Sequence, residues 1–426
     1  MIALVDANNF YVSCQRSFNQ VLNRKPVVVL SNNDGNVIAR SDEAKALGIK
    51  MAVPFFELDE LVKEHEIAVF SSNYQLYGDM SARLMATLAR FVEEVEIYSI
   101  DEAFLNFDGY ETVYPNLTEA AQTIRSTVNQ WLRLPVSVGI APTKTLAKVA
   151  NWYVKREPDH NGVLLLNTEQ KIQEVLQDFD VTALWGIGWR YAGMLKRNGV
   201  RTAAQFRDLP DEWIRAKLTV NGLRLAYELR GMPCKLLQPE AKPKKAICTA
   251  PSFGRLVPDL ATMTEALTTH MSRAAEKLRK QQSAAGTVTI FVHTNRHRKT
   301  PNGELAKQYY NSRTVKLPHP TSSTAELVGY AQAALKAIFR FGYIYQKVGI
   351  ILSDLVPDDH RQRGLFTEQP NERLGTLSKV MDTVNQRYGR DRLRLASAGY
   401  DPTWHHRRAY LSPCYTTKWK DILKVN

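Results

Sequence analysis

Cysteine is scarce in this chain of 426 residues: only Cys14, Cys234, Cys248 and Cys414 occur, far apart and with no CxxC pair among them. That spacing argues against a disulfide framework and against a zinc site. Histidine adds little, since His293 with His297, and the adjacent His405 and His406, have no companion cysteine or acidic pattern and read as solvated loop residues. Long apolar runs are missing as well. No stretch approaches the roughly 18 residues of a membrane-spanning helix. The first residues carry no basic segment followed by an apolar core of the secretory kind, so the expectation is a cytoplasmic protein with no membrane partner. Acidic residues are in deficit: 43 Asp and Glu against 56 Lys and Arg leave a net charge of +13, which directs attention to a polyanionic partner. Hydrophobic residues at 44% and charged ones at 23% exclude a disordered chain, and the length suits about two to four domains.

The most specific feature that is present is acidic. Ser99-Ile100-Asp101-Glu102 lies between Val95-Glu96-Ile97-Tyr98 and Ala103-Phe104-Leu105-Asn106-Phe107. Two runs of branched and aromatic residues around an acidic pair read as a tight hairpin with adjacent carboxylates at its bend. A second acidic strand end stands at the N-terminus, where Ile2-Ala3-Leu4-Val5 runs into Asp6, with Asn8, Asn9, Phe10 and Tyr11 following. An Asp at a turn often does no more than bond local backbone. If the two elements are neighbours in one sheet, however, three carboxylates converge where hard divalent cations could sit. Mg²⁺ accepts one or two carboxylates and completes its shell with water and substrate phosphates, so three acids shared between two ions suit phosphoryl or nucleotidyl transfer.

Residues 1–165 read as mixed α/β. After the first strand, Asn9 to Phe18 forms a short helix, and Pro26 to Ser31 and Val37 to Arg40 form a hairpin around Asn32-Asn33-Asp34-Gly35. A longer helix from about Tyr74 to Phe91 repeats Leu76, Met80, Leu84 and Leu88 at helical spacing. The acidic hairpin, a helix near Leu117 to Leu132, a strand Val136 to Ile140 and a helix from Thr143 carrying Lys144, Lys148 and Lys155 complete the region. With Pro26 to Ser71 set aside as an insertion, the order is βαββαβ, a split βαβ pattern whose two central strands lie side by side. Asp6 ends one of them and Asp101 follows the other.

Residues 166–235 are small and helical. In Leu184-Trp185-Gly186-Ile187-Gly188 the two glycines would let backbone N–H groups approach a phosphate, although glycine also simply caps helices. A basic link, Pro239-Glu240-Ala241-Lys242-Pro243-Lys244-Lys245, precedes a second βαββαβ series, with strands at Ile247 to Phe253, Gly286 to His293, Tyr310 to Leu317 and Val348 to Leu352. From Glu240 to Asp354 seventeen Lys or Arg face seven Asp or Glu. Most of the positive excess therefore sits on a sheet able to lie along a duplex backbone. From Pro357 onward clear periodicity is lost. Gln362-Arg363-Gly364-Leu365-Phe366 ends a polar stretch with two apolar side chains, a pattern that anchors in a partner's pocket or packs on its own chain.

These motifs together resemble the Y-family translesion DNA polymerases, and more narrowly the UmuC-type catalytic subunit of bacterial DNA polymerase V. The likeness is carried by Val5-Asp6-Ala7-Asn8 with Tyr11-Val12-Ser13-Cys14, Tyr98-Ser99-Ile100-Asp101-Glu102-Ala103-Phe104, Thr143-Lys144-Thr145-Leu146-Ala147-Lys148 and Trp185-Gly186-Ile187-Gly188. Asn32-Asn33-Asp34-Gly35 and the C-terminal Leu411-Ser412-Pro413 with Tyr415-Thr416-Thr417 single out the narrower type. The resemblance implies an α/β (α+β) right hand: a ferredoxin-like palm (1–25 and 72–165), small fingers (26–71), a helical thumb (166–238), a βαββαβ little finger (239–355) and a partner-binding C-terminal tail (356–426). It implies that Asp6, Asp101 and Glu102 hold two Mg²⁺ ions, with the Ala7 carbonyl a further ligand. Phe10 and Tyr11 would lie beneath the incoming sugar, Tyr11 as the steric gate against a 2′-hydroxyl. Lys45 and Lys155 would bind the triphosphate, and Gly186 and Gly188 the DNA backbone. Gln15 stands where an acid is frequent, and Arg156 follows Lys155 where many relatives place proline.

The implied activity is low-fidelity synthesis past damaged bases, without proofreading, in the SOS response. Its partners would be primer–template DNA, dNTP, a processed UmuD-type homodimer, the RecA filament and the sliding clamp, the last through Gln362, Leu365 and Phe366. Association with the nucleoid would accompany activity. A non-catalytic DNA-binding scaffold and a hairpin nuclease are the competing readings, and primer extension with Mg²⁺ and all four dNTPs separates them.

The basic segment generates a direct expectation. Affinity for primer–template DNA, followed by fluorescence anisotropy, falls by about one log unit per log unit of salt for each phosphate neutralised. Deleting residues 240–354 weakens binding. A flat salt titration contradicts this assignment.

Overall fold

The computed structural model describes residues 1–240, 242–359, 372–400 and 403–424. They form two units, Met1–Ser31 with Gly35–Ala241 and Tyr410–Asn426, and Asn32–Asp34 with Lys242–Ala409.

In the first unit the apolar run at the N-terminus becomes β1 (Ile2–Ala7), followed by α1 (Phe10–Phe18). Asn9 introduces α1 in a left-handed conformation, φ 49°. Next come β2 (Val27–Leu30), β3 (Val37–Arg40), the short helices α2 (Asp42–Ala46) and α3 (Asp59–Glu64), and β4 (Ala68–Ser71). These strands make a separate sheet in the order β3-β2-β4, with β2 and β4 parallel. The chain then forms α4 (Tyr74–Leu88), β5 (Val95–Ile97), β6 (Glu102–Asn106), α5 (Leu117–Leu132), β7 (Val136–Ala141), α6 (Lys144–Val154) and β8 (Val163–Leu165). The main sheet has the order β5-β6-β1-β7-β8.

One expectation is corrected by this order. The inner neighbour of β1 is β6, and β5 lies at the edge, so Asp101 precedes the central strand instead of following it. The physical reason is antiparallel pairing: the end of β1 meets the start of β6, giving the register Asp6↔Glu102. Strand alternation then sorts the side chains. Ala3, Val5, Ala103 and Leu105 join a core with α4 and α5, whereas Leu4 and Phe104 face the cluster built on α6. Asp6 and Glu102, two residues from Leu4 and Phe104, share the α6 side.

Helix α6 can lie close only because β7 has glycine beneath it. A Cβ on Gly139 would meet the Ala147 carbonyl and the Asn151 amide nitrogen, each at 2.4 Å. The Asn151 side chain donates to the Ser137 carbonyl at 3.0 Å across the same contact. At its N-terminus α6 is held by the buried Glu228, whose carboxylate accepts from the backbone N–H groups of Thr145, Cys234 and Lys235. Glu228 belongs to α10 (Asp211–Leu229), the last of four helices that follow β8; the others are α7 (Glu169–Asp178), α8 (Trp189–Arg197) and α9 (Ala203–Arg207).

The second unit repeats the βαββαβ chain order but not the sheet order. Its elements are β9 (Ile247–Thr249), β10 (Ser252–Val257), α11 (Leu260–Lys280), β11 (Ser283–Thr294), β12 (Tyr310–Thr321), α12 (Thr324–Ile338) and β13 (Tyr345–Pro357). The strand expected over Ile247 to Phe253 is broken at Pro251, which has no N–H to give to a ladder. Both pieces pair with β13, and the order is β10-β13-β11-β12. Here the last strand lies inside the sheet, whereas in the first unit the first strand does. Asn33 and Asp34, both at positive φ, hold this unit's backbone. Asn33 donates to the Ser252 carbonyl at 3.1 Å, and Asp34 accepts from the Ala409 amide at 2.8 Å.

The expected loss of periodicity beyond Pro357 is also corrected. Residues Glu372–Tyr388 form α13, tied to the unit by Asp382, which takes a two-pronged bond from Arg279 at 2.6 and 2.7 Å, and by Ser378, which accepts from the Thr324 amide. Only Ser378 and Met381 of this helix are buried, so its attachment leaves little apolar repeat in the sequence. The Gln362–Phe366 motif lies outside the described residues.

Because the Gly139 contact is backbone against backbone, Gly139→Ala is expected to lower stability by about 1–3 kcal/mol through overpacking. Urea or thermal unfolding of the full chain reads the loss. An unchanged midpoint contradicts the close approach of α6.

Candidate active site

The Asp6↔Glu102 register is closed by a backbone bond, Ala7 N–H to the Asp101 carbonyl at 2.9 Å. Ser99 shapes the turn before it. Its hydroxyl donates to Asp101 at 2.5 Å and accepts from the Glu102 amide at 3.1 Å. Helix α6 and the residue after it supply the opposing charge. Lys148 bonds both oxygens of Glu102 at 3.1 and 3.2 Å, and Lys155 approaches Asp6 at 2.5 Å. Lys144, four residues before Lys148 on the same helix, pairs with Glu96 and donates to the Leu236 carbonyl.

Burial pushes the Asp6 carboxyl up to about 7; Lys155 opposes that shift and the neighbouring Glu102 adds to it. Two carboxylates on adjacent strands offer hard oxygen donors. Their mutual repulsion in a buried place is what a divalent cation would relieve, so the residues fit Mg²⁺. In the structure as it stands the lysines take that part. Among the described residues no group of three or more His, Cys, Asp or Glu is gathered closely enough to hold a metal.

Beside the acids, Asn8, Asn9, Asp42, Lys45, Arg125 and Lys155 line a cavity of about 320 Å³. Lys45 reaches Asn9 and Asp42 at 2.8 Å each. The structure thus brings together Lys45 and Lys155, which are far apart in sequence. Tyr11 is half-buried and stacks on Tyr77, with ring centroids 4.3 Å apart and planes 12° from parallel. Burial raises its phenol, with smaller contributions from Tyr74 and then Asp101. Phe10 is buried in the core, its ring 5.8 Å from that of Tyr11.

The glycine hairpin stands on another side of the same α6 cluster. Gly186 has φ 101°, a conformation costly for other residues, and Gly188 caps α8 without a side-chain bond, leaving that helix's first N–H groups unoccupied by a cap. Trp185 joins this hairpin to the acidic turn. Its indole N–H donates to the Tyr98 hydroxyl at 3.0 Å, and the Lys148 ammonium lies 4.4 Å from the Tyr98 ring and 5.3 Å from the Trp185 ring. Lys235 sits 3.7 Å over Trp185 from the other side. The sequence reading placed Lys148 on the same helix as Lys155 but gave it no role; the spacing of 144, 148 and 155 on one helical face was the available signal.

In the second unit the sheet face away from α11 and α12 presents Thr287, Thr289, Phe291 and His293 of β11. Thr289 bonds Thr314, and Thr287 and His293 pair with Lys316 and Lys347. It is a polar, basic surface suited to phosphate and sugar contacts.

Residues 5–151 match the impB/mucB/samB family and residues 244–365 its C-terminal domain. The chain is 41% identical over 426 residues to Protein ImpB of Salmonella typhimurium, covering 99% of each, and 40% identical to Protein UmuC of the same species over 428 residues, covering all of both. The chain belongs to the impB/mucB/samB family. The fold has solved neighbours: a Y-family DNA polymerase chimera built on Dbh, at TM-score 0.66 and 21% identity over 84% of this chain and 99% of that one, and an insertion ternary complex of Dbh DNA polymerase at TM-score 0.54, with 21% identity and the same two coverages. Those likenesses are of fold. Residues 376–425 match a family described as a domain of unknown function, and the two impB/mucB/samB matches stop short of α13 and of the C-terminal segment.

Proposed function

We infer that this chain is a DNA-directed DNA polymerase of the UmuC type that synthesises DNA past damaged bases in the SOS response, at low fidelity and without proofreading. The observation that carries the reading is the cross-strand pair Asp6 and Glu102, opened by Asp101 and bordered by the cavity that holds Lys45 and Lys155. In this reading residues 1–25 and 72–165 are the palm, 26–71 the fingers, 166–238 the thumb and 239–355 the little finger. Residues 356–426 follow as a partner-binding region.

Asp6, Asp101 and Glu102, with the Ala7 carbonyl, would hold two Mg²⁺ ions. When bound, such ions supply Lewis acidity to the primer 3′-hydroxyl and charge neutralisation to the triphosphate. The protein's own groups do the rest. Lys45 and Lys155 would bind the triphosphate, Lys155 giving up its pairing with Asp6 to do so. Lys148 keeps Glu102 oriented. Tyr11, braced by Phe10 and Tyr77, closes the space a 2′-hydroxyl would need. Gly186 and Gly188 offer backbone N–H groups to a DNA phosphate, and the basic sheet of the second unit tracks the duplex.

Primer–template DNA and dNTP are the substrates of this reading. A processed UmuD-type homodimer, the RecA filament and a sliding clamp bound through Gln362, Leu365 and Phe366 complete the proposed assembly. No helix among the described residues is long and apolar enough to cross a membrane, and we place the enzyme in the cytoplasm, on the nucleoid when active.

Three substitutions test the site. Asp101→Ala or Glu102→Ala is expected to abolish nucleotide incorporation in a primer-extension assay while DNA binding stays near wild type, because the lost charge acts only in the assembled site. Extension by either variant at a wild-type rate removes the assignment. Tyr11→Ala is expected to raise rNTP relative to dNTP incorporation, since the discrimination is a clash; an unchanged ratio places the gate elsewhere.

A further inference from the structure

The C-terminal segment after residue 409 belongs to the first unit, where it contacts α1 and the start of α4. Tyr410 exchanges two bonds with Ser71 at the end of β4: its carbonyl accepts from the Ser71 amide at 2.9 Å, and its amide donates to the Ser71 hydroxyl at 3.0 Å. Two residues on, Ser412 is buried, and its hydroxyl oxygen accepts from Gln15 at 2.9 Å and from Asn73 at 3.1 Å. Asn73 also donates to the Ser412 and Pro413 carbonyls and accepts from the Leu76 amide, so it caps α4 while gripping the segment. Tyr415 stacks on Phe18 of α1 with centroids 4.9 Å apart.

Gln15 is the pivot. It lies one turn after Tyr11 on α1, is buried, and its amide NH₂ donates both to Ser412 and to the hydroxyl of the fully buried Tyr77 at 2.9 Å. Tyr77 is the ring on which Tyr11 stacks. A single side chain therefore joins the C-terminal segment to the helix that carries the gate and to the ring that supports it. An acid at position 15 would offer no proton to either partner when ionised, whereas the amide has two. Gln15, which stands where an acid is frequent, and the Leu411-Ser412-Pro413 motif thus meet in one buried contact.

We propose that Ser412 is a positioning residue for sugar selection: through Gln15 and Tyr77 the C-terminal segment holds Tyr11 against the 2′ position of the incoming nucleotide. The proposal rests on Tyr11 being the gate. Losing the Ser412 hydroxyl leaves one buried N–H of Gln15 short of an acceptor, while Asn73 keeps the Ser412 and Pro413 carbonyls, and α1 and α4 then relax relative to one another. The consequence falls on the geometry of Tyr11, not on the acids, which are held by the β1–β6 register and by α6.

The test measures kcat/KM for a dNTP and for the matching rNTP with the full-length chain, so that the fraction of active enzyme cancels in the ratio. Ser412→Ala is expected to lower the dNTP preference by about five- to tenfold, with kcat/KM for dNTP changed far less. Ser412→Thr, which keeps the hydroxyl, is expected to restore the preference. In a Tyr11→Ala background Ser412→Ala is expected to add nothing. Gln15→Met cuts the same bridge from its other end and serves if Ser412→Ala fails to fold. Tyr11→Ala lowering the preference while Ser412→Ala and Gln15→Met leave it at the wild-type value overturns the coupling alone. An undiminished effect of Ser412→Ala in the Tyr11→Ala background also overturns it. Tyr11→Ala with an unchanged preference overturns the gate itself, and this inference with it.

Discussion

The antiparallel register of β1 against β6 is the constraint on which the site depends. Because the two strands run in opposite directions, the last acidic residue of one falls opposite the first of the other, and Asp6 meets Glu102. A slip of β6 by one residue would turn Glu102 away from Asp6 to the α4 and α5 side, among Val5, Leu105 and Leu84. That slip is resisted by the apolar side chains themselves. Ala3, Val5, Ala103 and Leu105 face one core and Leu4 and Phe104 the other, so both faces hold the register at once.

Placing like charges together inside a protein is unfavourable, and the surrounding elements answer that cost. Gly139 lets α6 approach the sheet, Glu228 holds the helix's N-terminal end, and the helix then delivers Lys148 and, at its end, Lys155 to the two acids. The lysines compensate the carboxylates without burying either charge completely. Burial and the neighbouring Glu102 push the Asp6 carboxyl up to about 7, against the pull of Lys155. The aromatic enclosure of Lys148 by Tyr98 and Trp185 ties this charge arrangement to the glycine hairpin that precedes α8. The acids and the hairpin are therefore not independent sites.

Much of this was legible in the residues. The run from Tyr98 to Phe104 is too polar at its centre to be a plain strand and too branched at its flanks to be a helix, and so reads as a hairpin bearing acids. The repeat of Leu76, Met80, Leu84 and Leu88 marks α4 because only one helical face can be buried. The basic excess between 240 and 354 falls on a unit with its own core, in which Val288, Ile290 and Val292 alternate with threonine, phenylalanine and histidine. Less legible was α13, whose attachment relies on Ser378 and Asp382, and the break at Pro251, which divides a run that composition alone joins.

Residue types and their local spacing determined which segments would be strands and helices, which would carry the acids and lysines, and where the positive charge would collect, because each follows from interactions within a few residues. Sheet order and long-range partnership were decided only in three dimensions. The two βαββαβ series have the same chain order and different sheets, since the choice of inner strand depends on how the whole set of faces is buried. In the same way nothing near Gln15 indicates Ser412, 397 positions away: a buried hydrogen bond between distant side chains leaves no periodic trace, and it exists because folding removes water from both groups and leaves them each other.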